Sequence, residues 1–185
     1  LLPQHFGRKI QYSQIAPEYD ARKIKQVLNL LRLAKIIHFC YHTNASGIPL
    51  SSQKDPNTFK LYFLDIGLLH YIQGLQWSAI KEYSDRSIIT KGLSAEQFAA
   101  QHLAYYKGEG EEPELFYWLR DKTTGKAELD FVITKDHLIT PIEIKSGKSG
   151  TLKSLFQFKI CSMILNCNYK ITWFNYSFVI LTNKR

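Results

Sequence analysis

Apolar residues recur at Ile24, Val27, Leu28, Leu31 and Ile36. That is the spacing of one helix face, and it predicts a helix over residues 21–33 with Arg22, Lys23, Lys25 and Arg32 interspersed. Asp20 stands where an N-cap belongs, and residues 12–19 predict a shorter helix ahead of it. Residues 35–41 are rich in β-formers, and 60–64 are strand-like again. Between them, 43–58 carries Asn44, Gly47, Pro49, Pro56, Asn57 and three serines, the composition of a loop. A short helix, a turn, a longer basic helix and two strands around a loop together predict a winged-helix-like module. The same pattern also suits a helical packing or dimer module that touches no DNA. Residues 65–71 read as a short helix closed by Gly74, and 76–90 give no clear pattern.

The second half has a different texture. Ser94 and, three residues on, Gln97 form a capping-box pattern that starts a helix running to about residue 106. Residues 107–113, with two glycines and Pro113, are a loop. Strands are predicted over 115–120, 127–134 and 138–145, a loop over 146–150, a helix over 152–165, and strands over 170–174 and 178–181. The order α-β-β-β-α-β implies an α/β fold with a mixed sheet flanked by helices. The expected division is 1–64 for the winged-helix-like module, 65–90 for a connector and 91–185 for the α/β domain.

Composition narrows the classes. Of 185 residues, 45% are hydrophobic and 22% charged, which excludes disorder as the main state. No apolar run approaches the roughly 20 residues that span a bilayer, and residues 1–4 do not read as a signal peptide. Cys40, Cys161 and Cys167 form no CxxC pair, which suggests buried thiols in a reducing cytoplasm. A net charge of +8 favours an anionic partner, nucleic acid first, although simple solubility accounts for it equally well.

The candidate chemistry lies in residues 128–145. If the hairpin turns on Asp136 and His137, Lys135 faces Leu138 and Asp130 comes directly across from Glu143. Opposed side chains have Cβ atoms about 5 Å apart, and two carboxylates that close repel unless a cation lies between them. Lys145, two residues on, adds a positive charge on the face of Glu143. Two hard oxygen ligands suit Mg²⁺ or Mn²⁺, which polarises a phosphodiester and activates a bound water. The lysine orients that water or stabilises developing charge. Glu96, on the capped helix, offers a further carboxylate, though an acid in a first helical turn is also favourable against the macrodipole. Glu143 and Lys145 equally suit an exposed ion pair, and Asp130 an ordinary edge residue.

Other motifs are weaker. Gly147, Lys148 and Ser149 look like the end of a P-loop, but Ile142 stands where glycine is required, so no nucleotide site is expected. The six histidines show no metal-ligand spacing. Trp118 and Trp173 read as core anchors, and Gln157 as polar surface or a residue facing the site.

Glu96, Asp130 and the Glu143-Ile144-Lys145 run resemble the PD-(D/E)XK nuclease superfamily. KLYFLDIGLL at 60–69, GLSAEQF at 92–98, FYWLRD at 116–121, AELDFV at 127–132 and PIEIKSG at 141–147 resemble, in order, the domain-of-unknown-function 4143 family. That family is the C-terminal part of bacterial and archaeal AAA-type ATPases. The resemblance spans about residues 10–156 and is expected to fade after 156. It implies a winged helix followed by a restriction-endonuclease-like core. It also implies an ATPase domain ahead of Leu1, in keeping with the absent initial Met. By position, Glu96 matches the helix acid, Asp130 and Glu143 the metal ligands, and Lys145 the catalytic lysine. The expected function is a metal-dependent nuclease, DNA favoured, using Mg²⁺ or Mn²⁺. The alternative is an inactive nuclease-fold module that binds DNA or protein and serves the ATPase. Arg22, Lys23, Lys25 and Lys148 are the expected nucleic-acid contacts, with Lys153 also expected near the site. The expected location is the cytoplasm, without a membrane partner.

Overall fold

The structure is a computed structural model that describes residues 2–74, 92–105, 112–122, 125–144, 153–154, 157–158, 169–174 and 178–183. The chain forms two compact units. One comprises Leu1–Cys40 and Pro56–Glu114, the other Tyr41–Asp55 and Leu115–Arg185.

In the first unit, helix α1 (Tyr12–Ile15) precedes α2 (Ala21–Leu33). The second helix has the bounds its periodicity predicts. Asp20 caps it, its Oδ1 accepting from the Arg22 amide at 2.7 Å. It ends in a Schellman turn. The Ile36 amide donates to the Leu31 carbonyl at 3.0 Å and the Lys35 amide to Arg32 at 2.9 Å, with Lys35 left-handed at φ 58°. Strand β1 (Ile37–Thr43) follows and lies beside β2 (Lys54–Phe63). The expected loop over 43–58 is therefore shorter: it holds a 3-10 turn at Leu50–Gln53, which belongs to the second unit, and β2 starts at Lys54. Residues 58–63 of β2 are all buried, so the strand is covered on both faces. Phe6 stacks on Phe63 with ring centroids 3.6 Å apart, and Phe39 and Tyr12 meet Phe59. Gly7 adopts φ 68° and donates to the Leu61 carbonyl; a Cβ there would lie 2.5 Å from Leu93.

Helix α3 (Ile66–Ile72) is capped by Asp65, which accepts from the Gly67 and Leu68 amides. Helix α4 (Gly92–Ala104) begins ahead of the expected capping box. Gln97 plays a different part: fully buried, it accepts from the Phe63 amide at 2.9 Å and donates to the Phe63 carbonyl at 2.8 Å. A backbone that emerges from β2 inside the protein needs such partners. Gln101 does the same for the Ile66 amide.

In the second unit, β3 (Leu115–Lys122), β4 (Gly125–Lys135), β5 (Leu138–Glu143), β7 (Phe178–Asn183) and β6 (Tyr169–Phe174) lie side by side in that order. Each of the four neighbouring pairs is antiparallel. The β4–β5 hairpin has the register the sequence predicts: Lys135 pairs with Leu138 and Phe131 with Ile142. Asp136 and His137 form its turn at φ 50° and 61°, both left-handed, as a two-residue type I′ turn requires. Phe116, Trp118, Leu129, Val132, Ile139, Leu50 and Phe158 form the core here. Trp118 is the anchor expected of it, meeting Phe158 edge-on at 5.1 Å. Of the helix expected over 152–165, residues 153–154 and 157–158 are described and helical. Trp173 is described in its backbone only.

Three outcomes test this packing. Gln97→Leu strips the Phe63 amide and carbonyl of their partners, so urea unfolding should show a loss of about 2–4 kcal/mol. Replacing Asp136 by Asn and His137 by Gly installs the preferred type I′ pair, and the same assay should show a gain of about 1 kcal/mol.

His38 supplies the third. It is 4% exposed, and its Nε2 is buried with no hydrogen bond among the described residues. Burial, then Lys35, lowers its pKa below 6.5, partly countered by Glu112. The unfolded chain then takes up the proton first. Stability at this site is whole above pH 6.5 and falls as pH drops from 6.5 towards the folded pKa. His38→Phe should flatten that acid-side loss in denaturation titrations relative to the wild-type chain.

Candidate functional site

Strand β4 breaks its own alternation at the residue of interest. Leu129, Phe131 and Val132 are all fully buried. On β3, Phe116 pairs with Val132 and Trp118 with Leu129, so Tyr117 alone spans the two residues Asp130 and Phe131. That is a β-bulge, a device that re-aims a side chain and is frequent beside functional sites. A strict period of two, from which the site was predicted, does not contain it.

The Asp130 carboxylate is thereby set against the end of β5. Its Oδ2 accepts from the Ile144 amide at 2.6 Å. The hairpin pairs as far as Phe131 and Ile142, which Asp130 and Glu143 adjoin in sequence. On its other side, Glu143 pairs with Val179 of β7. It thus sits on an interior strand and is 3% exposed, which is not the exposed ion-pair partner that the bland reading supposes. Asp130 is half-buried. The Asp130 carboxylate is thus tied to the backbone immediately after Glu143, on the segment that leads into Lys145. Lys145 and Lys148 lie outside the described residues.

Glu96 belongs to the first unit, past the first turn of α4 rather than in it. Its Oε2 accepts from the Tyr62 hydroxyl at 3.1 Å and lies 3.9 Å from Lys60 Nζ. Lys60 is itself 3% exposed. A buried ammonium needs a nearby carboxylate and hydrogen bonds, so Glu96 has a structural task within its own unit. Sequence reasoning missed Lys60 and Tyr62; the signal was a lysine set between Phe59 and Leu61 in the apolar half of its strand.

Arg22, Lys23 and Lys25 are exposed on α2, and Lys25 lies 5.7 Å from the centroid of the Tyr12 ring. Lys153 is exposed in the second unit. Gln157 is half-buried and accepts from Arg120 of β3, so it is a partner within the second unit rather than plain surface. In the first unit His70 Nε2 lies 3.2 Å from Ser94 Oγ, and burial lowers the histidine's pKa against the opposing pull of Asp65. Ser94 is 5% exposed.

Among the described residues, no group of three or more His, Cys, Asp or Glu side chains is placed to hold a metal ion. Asp130 and Glu143 remain a pair of hard oxygen donors, the chemistry that suits a divalent cation retaining several waters. Among the same residues, no helix is long and apolar enough to cross a membrane.

Residues 1–79 match a family described as Domain of unknown function (DUF8612), and residues 91–181 match Domain of unknown function (DUF4143). No curated protein and no solved structure matches the chain. The stretch at 60–69, read above with the 4143 family, falls within the DUF8612 match. The DUF4143 match does not fade at 156 but continues through β6 into β7. The segment that carries Glu96, Asp130 and Glu143 is thus similar to the DUF4143 family.

Proposed function

We propose that the second unit is the core of a metal-dependent nuclease of the PD-(D/E)XK kind, cleaving phosphodiester bonds, with DNA as the favoured substrate. The observation that carries the reading is the hydrogen bond from the Ile144 amide to Asp130. It ties the Asp130 carboxylate to the backbone next to Glu143, at the strand end that runs into Lys145. Asp130 and Glu143 would hold Mg²⁺ or Mn²⁺. The ion, when bound, supplies Lewis-acid polarisation of the phosphate and a more acidic water.

The remaining work belongs to the chain. The bulge and the Ile144 amide fix the direction of the Asp130 carboxylate, so little ordering is left for the moment of reaction. Pairing with Val179 of β7 holds Glu143 in place, and burial screens it from bulk water. That strengthens its attraction for a cation. Lys145 would orient the attacking water or offset charge on the phosphate. Glu96, engaged by Lys60 and Tyr62, keeps a structural part in this reading. The elements α1, α2, β1 and β2 follow the order of a winged helix, and an ATPase domain would precede this part of the protein.

One observation favours the second reading, an inactive nuclease-fold module that serves the ATPase. The Glu143 carboxylate is nearly closed to solvent, and an ion must reach it.

Plasmid, linear and single-stranded DNA, each with Mg²⁺, Mn²⁺ or EDTA, decide between the two. The chain should cleave with either ion and not with EDTA. Asp130→Ala should lower the rate by roughly two orders of magnitude or more, the scale of losing one electrostatic group from a site, while circular dichroism stays unchanged. Metal-dependent cleavage that survives in Asp130→Ala removes the site assignment. A folded wild-type chain that cleaves nothing supports the inactive module.

A further inference from the structure

Helix α2 is amphipathic towards its own unit: Leu28 is 1% exposed, and Ile24 and Leu31 are half-buried. Its outward side is not the polar face that such a helix normally turns to water. Val27 is 52%, Leu30 67% and Leu33 63% exposed, and Ile36, just past the helix, is 39% exposed. Lys23, Val27, Leu30 and Ala34 are all exposed and follow one another at intervals of four, three and four. That is the seam of a helix prepared to pack against a second helix. Three aliphatic side chains more than half exposed within two turns are a patch, not scattered singles.

Charge selects the occupant. Residues 21–36 hold Arg22, Lys23, Lys25, Arg32 and Lys35 and no acid. Glu112 serves the C-terminal end, 3.4 Å from Arg32 and 2.9 Å from Lys35. Among the described residues no carboxylate pairs with Arg22, Lys23 or Lys25. A second copy of α2 laid on this seam would bring like charges together, which opposes association. Nucleic acid fits less well. Surfaces that bind it are polar and strongly basic, and here aliphatic side chains occupy the middle of the face.

We propose that the outward face of α2 is a docking surface for an acidic amphipathic helix of a partner protein. Apolar residues of that helix would cover Val27, Leu30 and Leu33, and its carboxylates would meet Arg22, Lys23 and Lys25. This is helix-on-helix recognition with apolar anchors at the centre and a charged rim. It is independent of the nuclease reading, which concerns the other unit.

The test uses the full 185-residue chain and three fluorescent probes. They are a helical peptide with leucine along one seam and glutamate elsewhere, its lysine counterpart, and a duplex DNA. The acidic peptide should bind, the lysine peptide should not, and added salt should weaken binding. The double variant Leu30→Ser, Leu33→Ser should weaken the acidic peptide at least tenfold without changing the melting curve, because both side chains face solvent. The single variant Lys23→Glu should weaken it as well. Equal binding of the acidic peptide to the serine variant overturns the proposal, as does failure of that peptide to bind. So does duplex DNA that displaces the peptide and is itself weakened by the serine substitutions. Concentration-dependent dimerisation abolished by Leu30→Ser would assign the face to a second copy and overturn it too.

Discussion

The register of β4 on β5 is set at one place, the two-residue turn of Asp136 and His137. Both residues lie in the left-handed region, where the backbone twist matches that of paired strands. A slip of one residue would exchange the two faces of β5. Ile139 would leave the core it shares with Val132 and Trp118. The Ile144 amide would no longer meet Asp130. The ordering of the candidate site and the packing of the second unit therefore rest on the same turn.

The first unit is governed by polar groups placed against buried or half-buried partners. Gln97 closes the backbone of Phe63, Gln101 that of Ile66, and Glu96 sits beside the ammonium of Lys60. Each comes from α4 and serves β2 or the turn after it. The helix thus contributes amides and a carboxylate where a simple packing helix would contribute only apolar bulk. Its modest apolar face is consistent with that: Ala95, Ala100 and Ala104 are its buried hydrophobics. Small residues bring the helix close enough for the glutamines to reach.

Charge is also divided by task. The +8 excess does not act as one field. Lys60 is buried against Glu96, Arg32 and Lys35 face Glu112, and Arg120 donates to Gln157. Arg22, Lys23 and Lys25 are what remains on α2, beside exposed aliphatic residues rather than on a purely polar surface.

The amino-acid sequence by itself determined α2 and its Asp20 cap, the short α3, the three strands from 115 onward and the hairpin register. All of these depend on neighbours a few residues away, through periodicity, capping and turn geometry. It also placed Asp130 and Glu143 towards the same end of the hairpin, because pairing follows from the turn by counting. Only the tertiary structure decided the bulge at Asp130 and Phe131, the burial of Glu143 between β4 and β7, and the engagement of Glu96 by Lys60 and Tyr62. It likewise turned Gln97 from an expected cap into a clasp on Phe63. Those outcomes depend on which strand lies alongside and which backbone groups are left dry, and neither is written in local spacing.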